Sequence, residues 1–392
     1  MFRIESQDRL ARTGVLSLKH GKVRTPELMP VATKATVKAI PPESLAELGV
    51  QLVICNTYHL MLRPGADIIS RVGGLNRFMG TGLPLVTDSG GFQAFSLGLG
   101  SEHATGKMSL FFPEENKTSK KPRESIVRMT DRGIYFRSVY DRSRQFLSPE
   151  DSIMIQEQLG ADMILALDEC TSPLSDKKYT EKSLQRTHKW AKRCLKAHKS
   201  DQAIAGIIQG GHWQDLRKES ARFISELPFD GIAIGGSLGR SKKDMHSVLD
   251  WTIPLLPKGK PRHLLGIGVV EDIFEAVERG IDLFDCVSPT RMARSGYAYV
   301  RPPAGTRENK FNYSVKAKRY RADRSNLDAN CRCRVCEKHS RAYIHHLLDT
   351  NEMLGHTLLS YHNINFFMQL MRDIREAIRN SGFLRLKKAW LG

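Results

Sequence analysis

The strongest constraint on the fold is an alternation of short apolar runs with helix-like segments that repeats eight times between residues 27 and 287. Amphipathic segments such as Pro149–Leu159 and Glu271–Arg279 separate several of the runs. Eight strand–helix units predict an α/β fold of the (β/α)8 TIM barrel type. The eight runs are Glu27–Ala32, Gln51–Cys55, Pro84–Thr87, Met163–Leu167, Ala205–Ile208, Gly231–Ile234, His263–Gly266 and Asp282–Phe284.

Polar residues and glycines follow most of these runs directly. They are Asn56-Thr57, Asp88-Ser89, Asp168-Glu169, Gln209-Gly210, Gly235-Gly236, Gly268 and Asp285-Cys286. Barrel enzymes build their sites at the carboxyl ends of the strands, so the pattern predicts a site there. A doubly wound open sheet would produce the same alternation, but no Gly-x-Gly-x-x-Gly motif opens a helix after the first run. The barrel is therefore the favoured interpretation.

Three segments depart from the alternation. Residues 1–26 carry apolar residues around His20-Gly21, which predicts a hairpin that closes the barrel floor. Residues 102–125 are polar and predict an inserted surface loop near the mouth of the site, while residues 131–147 alternate as antiparallel strands do. We expect residues 1–290 to form the barrel domain and residues 291–392 to form a C-terminal subdomain.

The C-terminal part contains Cys331-x-Cys333-x2-Cys336, followed by His362. Three thiols and one imidazole make a complete tetrahedral zinc set. Because all four ligands come from the protein, no position is left for a catalytic water, and the motif predicts one structural Zn²⁺ per chain. The tail beyond the cysteines is predicted to be helical over Ala342–Leu354 and Leu358–Ala377, so the subdomain is expected to be helical and zinc-binding.

The charge of the chain is strongly positive and unevenly distributed. The net charge is +18 over 392 residues. Residues 291–392 hold 20 Lys and Arg against 8 Asp and Glu, so this last quarter accounts for +12. Such asymmetry favours a polyanionic partner, most simply a nucleic acid.

The apolar runs and the cysteines indicate the cellular compartment of the protein. No apolar run approaches the ~20 residues that span a bilayer, and the N-terminus has no apolar signal segment, so no membrane role is expected. Four of the seven cysteines are scattered outside the zinc motif. This usage is typical of a reducing compartment, and we expect a cytoplasmic protein without disulfides.

Three acidic residues, Asp88, Asp168 and Asp285, stand at predicted strand ends that converge in a barrel. A carboxylate beside Phe284 and Val287 is costly to bury unless it is paired or used. Asp285 is a candidate nucleophile, with a second carboxylate as acid and base. Glycosidic chemistry on a nucleic acid and metal-assisted hydrolysis both fit these residues.

Several ordered motifs, together with the zinc set, resemble those of the tRNA-guanine transglycosylase family, which exchanges a guanine in tRNA for a 7-deazaguanine. The resemblance extends from about residue 10 to residue 380 and therefore covers nearly the whole chain. The motifs are Asn56-Thr57-Tyr58-His59-Leu60, Thr87–Gln93, Leu147-Ser148-Pro149-Glu150, Leu167-Asp168-Glu169-Cys170, Ile208-Gln209-Gly210-Gly211, Ile234-Gly235-Gly236, Phe284–Arg291 and Ser340–His346.

The resemblance implies roles for individual residues. Asp285 is expected to be the nucleophile that attacks C1′ of the ribose of guanine 34 in G-U-N anticodons, and Asp88 the acid and base. The resemblance also implies a base-binding pocket and an RNA-contacting set. The expected base-binding residues are Asp88, Ser89, Phe92, Asp168, Cys170, Gln209, Gly235, Gly236 and Leu265. The expected RNA-contacting residues are Arg291, Arg294, Gly266 and Gly268.

The partners implied by the resemblance are the anticodon loop of tRNA, a 7-deazaguanine base (queuine or preQ1) and a second copy of the chain in a homodimer. No redox cofactor is needed. An alternative is a catalytically silent tRNA-binding subunit of a heteromeric enzyme, although the retention of Asp88 and Asp285 argues against it. The archaeal-type enzyme is disfavoured because the chain lacks its additional RNA-binding domains.

The loop Gly235-Gly236-Ser237-Leu238-Gly239-Arg240 departs from the longer Gly-Gly-Leu-Ala-Val-Gly-Glu version that is usual in relatives using preQ1. The acid of that version is absent and its bulky valine is lost. A roomier pocket would admit queuine. The sequence therefore predicts incorporation of queuine at least as efficiently as preQ1.

Overall fold

The computed structural model describes residues 2–94, 127–236, 238–239 and 241–392. The predicted loop over residues 102–125 lies outside the described residues, as do Ser237 and Arg240. The strands are β1 (Phe2–Asp8), β2 (Ala11–Leu18), β3 (Gly21–Thr25), β4 (Glu27–Ala32), β5 (Val53–Cys55), β6 (Leu85–Thr87), β7 (Arg128–Thr130), β8 (Gly133–Arg137), β9 (Arg144–Leu147), β10 (Met163–Leu165), β11 (Ala203–Ile208), β12 (Gly231–Ile234), β13 (Arg262–Leu264), β14 (Leu283–Cys286), β15 (Tyr297–Tyr299) and β16 (Asn312–Ser314).

Eight of these strands close into a parallel barrel in the order β4-β5-β6-β10-β11-β12-β13-β14. The last strand pairs with the first, with Asp285 opposite Met29. This closure confirms the predicted barrel and excludes the open sheet. The predicted strands differ from the observed ones by a few residues: β13 ends before Gly266, whose φ of +76° cannot continue a strand.

A three-stranded antiparallel sheet, β1-β2-β3, occupies residues 2–25, where a hairpin was predicted. Its residues Phe2, Leu16 and Val23 belong to one buried cluster with inward-facing residues of the barrel strands. The sheet therefore closes the barrel floor, as expected. The barrel residues of this cluster include Met29, Ile54, Val86, Leu165, Ile207, Ala233 and Leu283.

The helices of the barrel part surround these strands, and two of them begin with a capping box. Ser148 and Ser241 each form a capping box with the acidic residue three positions later. Strands β7-β8-β9 form a separate antiparallel sheet, as predicted for residues 131–147. The helices are α1 (Pro42–Glu47), α2 (Thr57–Leu62), α3 (Ala66–Val72), α4 (Gly74–Met79), α5 (Pro149–Leu159), α6 (Lys177–Ala197), α7 (Gln214–Glu226), α8 (Lys242–Thr252), α9 (Val270–Glu278) and α10 (Ser288–Arg294).

The C-terminal part is helical, as predicted, and its core is continuous with that of the barrel. The helix predicted to end at Leu354 ends at Asp349, because Asn351 takes a left-handed φ of +58° and the next helix begins at Met353. No helix in the described chain is long and apolar enough to cross a bilayer. The helices are α11 (Arg334–Lys338), α12 (Arg341–Asp349), α13 (Met353–Arg379) and α14 (Phe383–Leu391).

Candidate active site and metal centre

A cavity of about 190 Å³ opens at the carboxyl ends of the barrel strands. Asp88 follows β6, Asp168 lies beyond β10, and Asp285 belongs to the end of β14, and all three line this cavity. The three carboxylates that the sequence places at separate strand ends therefore meet in one place. A larger open depression at the barrel floor is lined mainly by polar and basic residues, among them Arg3, Lys22, Arg24 and Arg379.

Asp88 is held by neutral donors on the neighbouring strand end. Asn56 Nδ2 donates to Oδ2 at 2.6 Å, and the backbone N–H of Thr57 donates to Oδ1 at 3.0 Å. Asn56 also caps α2 through its Oδ1, so the same residue fixes the helix and the carboxylate. Burial, together with the negative charge of Asp285, raises the pKa of Asp88 to about 7. Asp88 can therefore exchange a proton near neutral pH.

Asp285 is fixed through a single carboxylate oxygen. His263 Nε2 lies 2.8 Å from Oδ1, and the backbone N–H of Gly266 donates to the same oxygen at 2.9 Å. Oδ2 has no hydrogen-bond partner among the described residues. The Asp285 side chain is 17% exposed, so one oxygen is held while the carboxylate stays accessible from the cavity.

Asp168 and Gln209 form a buried polar pair. Gln209 Nε2 donates to Asp168 Oδ2 at 2.6 Å. Burial raises the pKa of Asp168 to about 6, and the hydrogen bonds from Gln209 and Ser89 oppose that shift. Gln209 Oε1 is buried and has no hydrogen-bond partner in the described part of the chain. An unsatisfied buried acceptor is costly, so this atom is suited to a donor on a bound ligand.

The walls of the cavity are partly apolar. Phe92 and Leu265 line it, and Cys170 lies beside Gly236. A Cβ on Gly236 would come within 2.4 Å of the Cys170 sulfur, so this position requires glycine to keep the wall closed. The predicted residues that line the cavity are Asp88, Ser89, Phe92, Asp168, Cys170, Gly236, Leu265, Gly266, Asp285 and Arg291.

Four predicted residues lie next to the cavity rather than on its wall. Gln209 reaches the site through Asp168, and Gly235 packs beneath the Gln209 amide. Gly268 packs against Cys286, where a Cβ would come within 2.2 Å of the cysteine Cβ. Arg294 lies one turn beyond Arg291 on α10 and donates to the carbonyl of Thr290 at 2.8 Å.

Sequence reasoning missed two buried residues of this site. His263 contacts Asp285. The predicted apolar run His263–Gly266 gave a signal, because alternate residues of such a run face the same side and Leu265 was a predicted site residue. Arg217 is fully buried and donates to the carbonyls of Gly211, Gly235 and Gly236. It therefore holds the two glycine-rich strand ends in place. No local pattern in the sequence indicates these carbonyl partners.

Positive charge gathers at one side of the cavity. Burial lowers the pKa of Lys38, and so do the positive charges of three nearby residues, Arg294, Lys34 and Arg291. The four cations therefore lie near one another. Arg291 itself lines the cavity. A cluster of cations beside the site favours a polyanion such as the phosphates of RNA.

The cysteine–histidine cluster assembles as the sequence predicts. The donor atoms of Cys331, Cys333, Cys336 and His362 all lie within 4.8 Å of one another, and all four residues are buried. His362 Nδ1 is 3.3 Å from the Cys336 sulfur and 3.7 Å from the Cys333 sulfur. Tetrahedral zinc with three sulfurs and one nitrogen sets its donors about 3.5–3.8 Å apart. The cluster therefore fits a structural metal site.

The groups around this cluster also suit a metal. His362 Nε2 lies 2.7 Å from the carbonyl oxygen of Tyr299, which leaves Nδ1 free to bind a metal. Asn365 Nδ2 donates to the Cys331 sulfur at 3.4 Å. Hydrogen bonds of this kind orient metal ligands and stabilise thiolate charge.

A closed parallel barrel with convergent carboxylates at its carboxyl end and a Cys3His cluster in its C-terminal part defines a barrel enzyme with a structural metal site. Residues 7–392 match the family described as queuine tRNA-ribosyltransferase. The chain therefore belongs to the queuine tRNA-ribosyltransferase family, the tRNA-guanine transglycosylases, as the motifs predicted.

Similar proteins support the assignment over the full length. The queuine tRNA-ribosyltransferase of Roseiflexus sp. is 43% identical over 408 residues, which cover 100% of this chain and 99% of that protein. The queuine tRNA-ribosyltransferase of Halothermothrix orenii is 44% identical and covers 97% of this chain and 94% of its own. A protein of Archaeoglobus fulgidus is 47% identical over 100% of this chain and 99% of its own.

Proposed function

We propose that this enzyme exchanges guanine 34 in tRNAs with a G-U-N anticodon for a 7-deazaguanine, queuine or preQ1, by double displacement through a covalent Asp285–ribose intermediate. The observation that carries the proposal is the meeting of Asp88 and Asp285 in one cavity. One carboxylate exchanges a proton near neutral pH, and the other offers an oxygen without a hydrogen-bond partner in the described chain.

In the first displacement, a carboxylate oxygen of Asp285 forms a bond to C1′ of the ribose while the C1′–N9 bond breaks. The electron pair of that bond goes to the departing guanine. Asp88, protonated below about pH 7, gives its proton to the base. Guanine leaves in neutral form, and the ribose is attached to Asp285 as an ester.

In the second displacement, the incoming 7-deazaguanine loses a proton to the Asp88 carboxylate and attacks C1′ with its ring nitrogen. The bond between C1′ and Asp285 breaks, and its electron pair returns to the carboxylate. Two inversions at C1′ retain the configuration. One N-glycosidic bond replaces a similar one, so the exchange needs neither a redox cofactor nor an energy source.

Base recognition is assigned to the buried polar pair at the end of β10 and β11. Asp168 accepts hydrogen bonds from the amino and imino groups of a guanine-like edge, and Gln209 Oε1 accepts another. Ser89, Cys170 and Gly236 form this wall of the pocket, and Gly235 supports it by packing against the Gln209 amide. Phe92 and Leu265 lie on the two faces of the flat ring, and their place on the cavity wall supports this role.

Recognition of the anticodon loop is assigned to Arg291 and Arg294, with the backbone of Gly266 and Gly268 beside them. The neighbouring positive charges of Lys34 and Lys38 support this assignment. In this proposal, residues 1–290 act as the catalytic barrel, and the basic subdomain over residues 291–392 carries part of the tRNA.

The Cys3His cluster is assigned one structural Zn²⁺ per chain, held by Cys331, Cys333, Cys336 and His362. Metal analysis of the purified protein should give one zinc per chain, and Cys333→Ser should lower both zinc content and the thermal midpoint. Cys194→Ser removes an equally buried thiol outside the cluster and serves as the control. Full retention of metal by Cys333→Ser would contradict the ligand assignment.

The homodimer is assigned to the surface near the metal cluster. Met353 is 83% exposed, and the next residue, Leu354, and Tyr343 on the preceding helix are also exposed. Apolar side chains grouped on a surface favour a protein partner. Light scattering should give twice the chain mass, and Met353→Glu should shift the population toward monomer. A wild-type protein that is monomeric at micromolar concentration would exclude this assembly.

The decisive test is exchange of labelled guanine into a G-U-N tRNA, with queuine and preQ1 as competitors. Exchange by the purified chain alone supports catalysis, whereas activity that appears only with a second, different subunit supports the silent-subunit alternative. We expect kcat/KM for queuine to equal or exceed that for preQ1. A kcat/KM for preQ1 well above that for queuine would refute the pocket argument and leave the exchange reaction intact.

A further inference from the structure

The environment of Asp285 includes a histidine in a position that neighbouring strands give to apolar residues. His263 is paired in register with Ala233 on one side and Leu283 on the other, and both neighbours belong to the cluster inside the barrel. His263 is only 4% exposed, so its imidazole faces the interior. A polar ring at this position is costly unless it has a hydrogen-bond partner, and its Nε2 lies 2.8 Å from Asp285 Oδ1.

The two oxygens of Asp285 therefore differ. Oδ1 is approached by His263 Nε2 and by the backbone N–H of Gly266, at 2.8 Å and 2.9 Å. Oδ2 has no such partner within the described residues. An ionised carboxylate only accepts hydrogen bonds, so the contact requires a proton on His263 Nε2. The structure thus distinguishes a held oxygen from an available one.

We propose that His263, together with the Gly266 N–H, reserves Oδ2 for attack on C1′ and promotes the release of Asp285 in the second displacement. His263 is a positioning residue that acts through Asp285. The inference rests on the double displacement proposed above and adds a residue that assigns roles to the two oxygens and sets the lifetime of the intermediate.

The change of charge on Oδ1 explains why these donors promote the release of Asp285. When Oδ2 bonds to C1′, Oδ1 becomes the carbonyl oxygen of an ester and loses most of its negative charge. Hydrogen bonds to a carboxylate are stronger than hydrogen bonds to an ester carbonyl. The donors at Oδ1 therefore stabilise free Asp285 relative to the intermediate. When the incoming base attacks, the C1′–Oδ2 pair returns to the carboxylate and the two donors stabilise the returning charge.

A matched pair of variants isolates the donor. His263→Gln keeps an N–H group at the end of a side chain, whereas His263→Met has a similar volume and no donor. Each variant is mixed with saturating G-U-N tRNA and increasing free guanine, and the covalent protein–RNA adduct is measured on a denaturing gel. We expect His263→Met to need roughly tenfold more guanine than wild type to discharge half of the adduct. We expect His263→Gln to behave within a few-fold of wild type.

A purely structural role predicts a different outcome. If His263 only fills space, both variants lose adduct formation and discharge in equal proportion, or His263→Met discharges at the wild-type guanine concentration. Either result overturns the inference while wild-type exchange stands. If wild-type protein forms no adduct with tRNA at all, the double displacement itself fails and this inference falls with it.

Folding of the variants is checked by thermal melting before the comparison. If neither variant folds, a long-range proton–nitrogen NMR spectrum of wild-type protein with ¹⁵N-labelled histidine replaces the kinetic test. A proton on Nε2 of His263 supports the donor role. An Nε2 without a proton overturns it, because His263 would then donate no hydrogen bond to Asp285.

Discussion

Two carboxylates near opposite ends of strand β14, Asp282 and Asp285, have different kinds of partner. At the floor of the barrel, Asp282 is fully buried and accepts two hydrogen bonds from the Arg12 guanidinium, at 2.9 Å and 2.5 Å. Three residues later, at the opposite end, Asp285 is held by an imidazole and one backbone N–H. The same residue type thus forms a structural ion pair just before this strand and, in the proposed mechanism, the nucleophile near its other end.

This contrast extends around the barrel. At the floor, Glu27 pairs with Arg375 at 3.1 Å, in addition to the Arg12–Asp282 pair. At the carboxyl end, the hydrogen-bond donors to Asp88 and Asp168 come from side-chain amides, a serine hydroxyl and backbone N–H groups. A guanidinium partner neutralises the charge of a carboxylate and makes it a poor base or nucleophile. Neutral donors orient the carboxylate and leave its charge available. Partner type therefore separates Glu27 and Asp282 at the floor from Asp88 and Asp168 on the cavity.

The largest expected effect is on guanine exchange, and it distinguishes Asp285 from Asp282. Asp285→Asn should lower guanine exchange by about 10⁴-fold or more and abolish the covalent adduct, because the nucleophile is lost. Its thermal midpoint should stay close to that of wild type, since no arginine depends on this carboxylate. Labelled-guanine exchange and a denaturing gel measure both quantities. Retention of the adduct in this variant would remove Asp285 from the mechanism.

Asp88→Asn should lower exchange by about 10²–10⁴-fold, because general acid–base catalysis is lost. In wild type, the rate of adduct formation should fall as the pH rises above 7, since the pKa of Asp88 is raised to about 7 by burial and the protonated form is needed. Single-turnover rates between pH 5.5 and 8.5 test this. If the Asn variant keeps the same pH profile, another group supplies the proton.

The same raised pKa predicts a pH effect on stability. Between about pH 4 and pH 7, folded Asp88 keeps its proton while the unfolded chain has lost it, so the stabilisation is complete at low pH and is lost as pH rises through about 7. Asp88→Asn removes this dependence. The unfolding free energy of the variant relative to wild type should therefore increase between pH 4 and pH 8 by on the order of 2–4 kcal/mol. Urea titrations at the two pH values measure it.

At the floor, Asp282→Asn should lower the unfolding free energy by about 3–5 kcal/mol, because it leaves the buried Arg12 guanidinium without its carboxylate. The folded fraction should keep its kcat/KM for guanine exchange within about twofold at low temperature. Denaturant unfolding and exchange on the same preparation test the comparison directly. A variant that is stable but inactive would show that the floor takes part in the chemistry.

The smallest expected effect concerns RNA contacts. Arg294→Ala should raise KM for tRNA several-fold and reduce the slope of log affinity against log salt by about one, because one phosphate contact is lost. Arg3→Ala, on the floor sheet, removes the same charge from the opposite end and serves as control. Equal effects of both variants on the salt slope would indicate diffuse attraction and no defined contact.

The positions of the barrel strands could be predicted from sequence because buried parallel strands are short continuous apolar runs. The direction of the chain then identified the carboxyl ends of the strands, and the positions of Asp88, Asp168 and Asp285 followed from those ends. The floor sheet was harder to predict from sequence. A hairpin alone was predicted, but β1 also pairs with β2 around Arg9, which takes a left-handed φ of +59°. The metal cluster was predicted because its ligands share a recognisable spacing.

The contacts that hold the reactive groups could not be predicted in this way. His263 and Asp285 are separated by 22 residues. Their meeting depends on the register of two neighbouring strands. Arg217 donates to backbone carbonyls, which every residue offers, so no side-chain type in the sequence points to it. Hydrogen-bond partners within a site depend on distances that local patterns do not encode.

The contact between His362 and the carbonyl of Tyr299 connects the metal cluster to the part of the chain that follows Asp285. The Tyr299 hydroxyl lies 2.9 Å from Ser288 Oγ, and Asn363, next to the metal ligand, donates to the carbonyl of Pro289 at 3.1 Å. Helix α10, which carries Arg291 and Arg294, is thus anchored to the metal-binding helix. Loss of a metal from this cluster should therefore loosen α10, and with it Arg291, which lines the cavity.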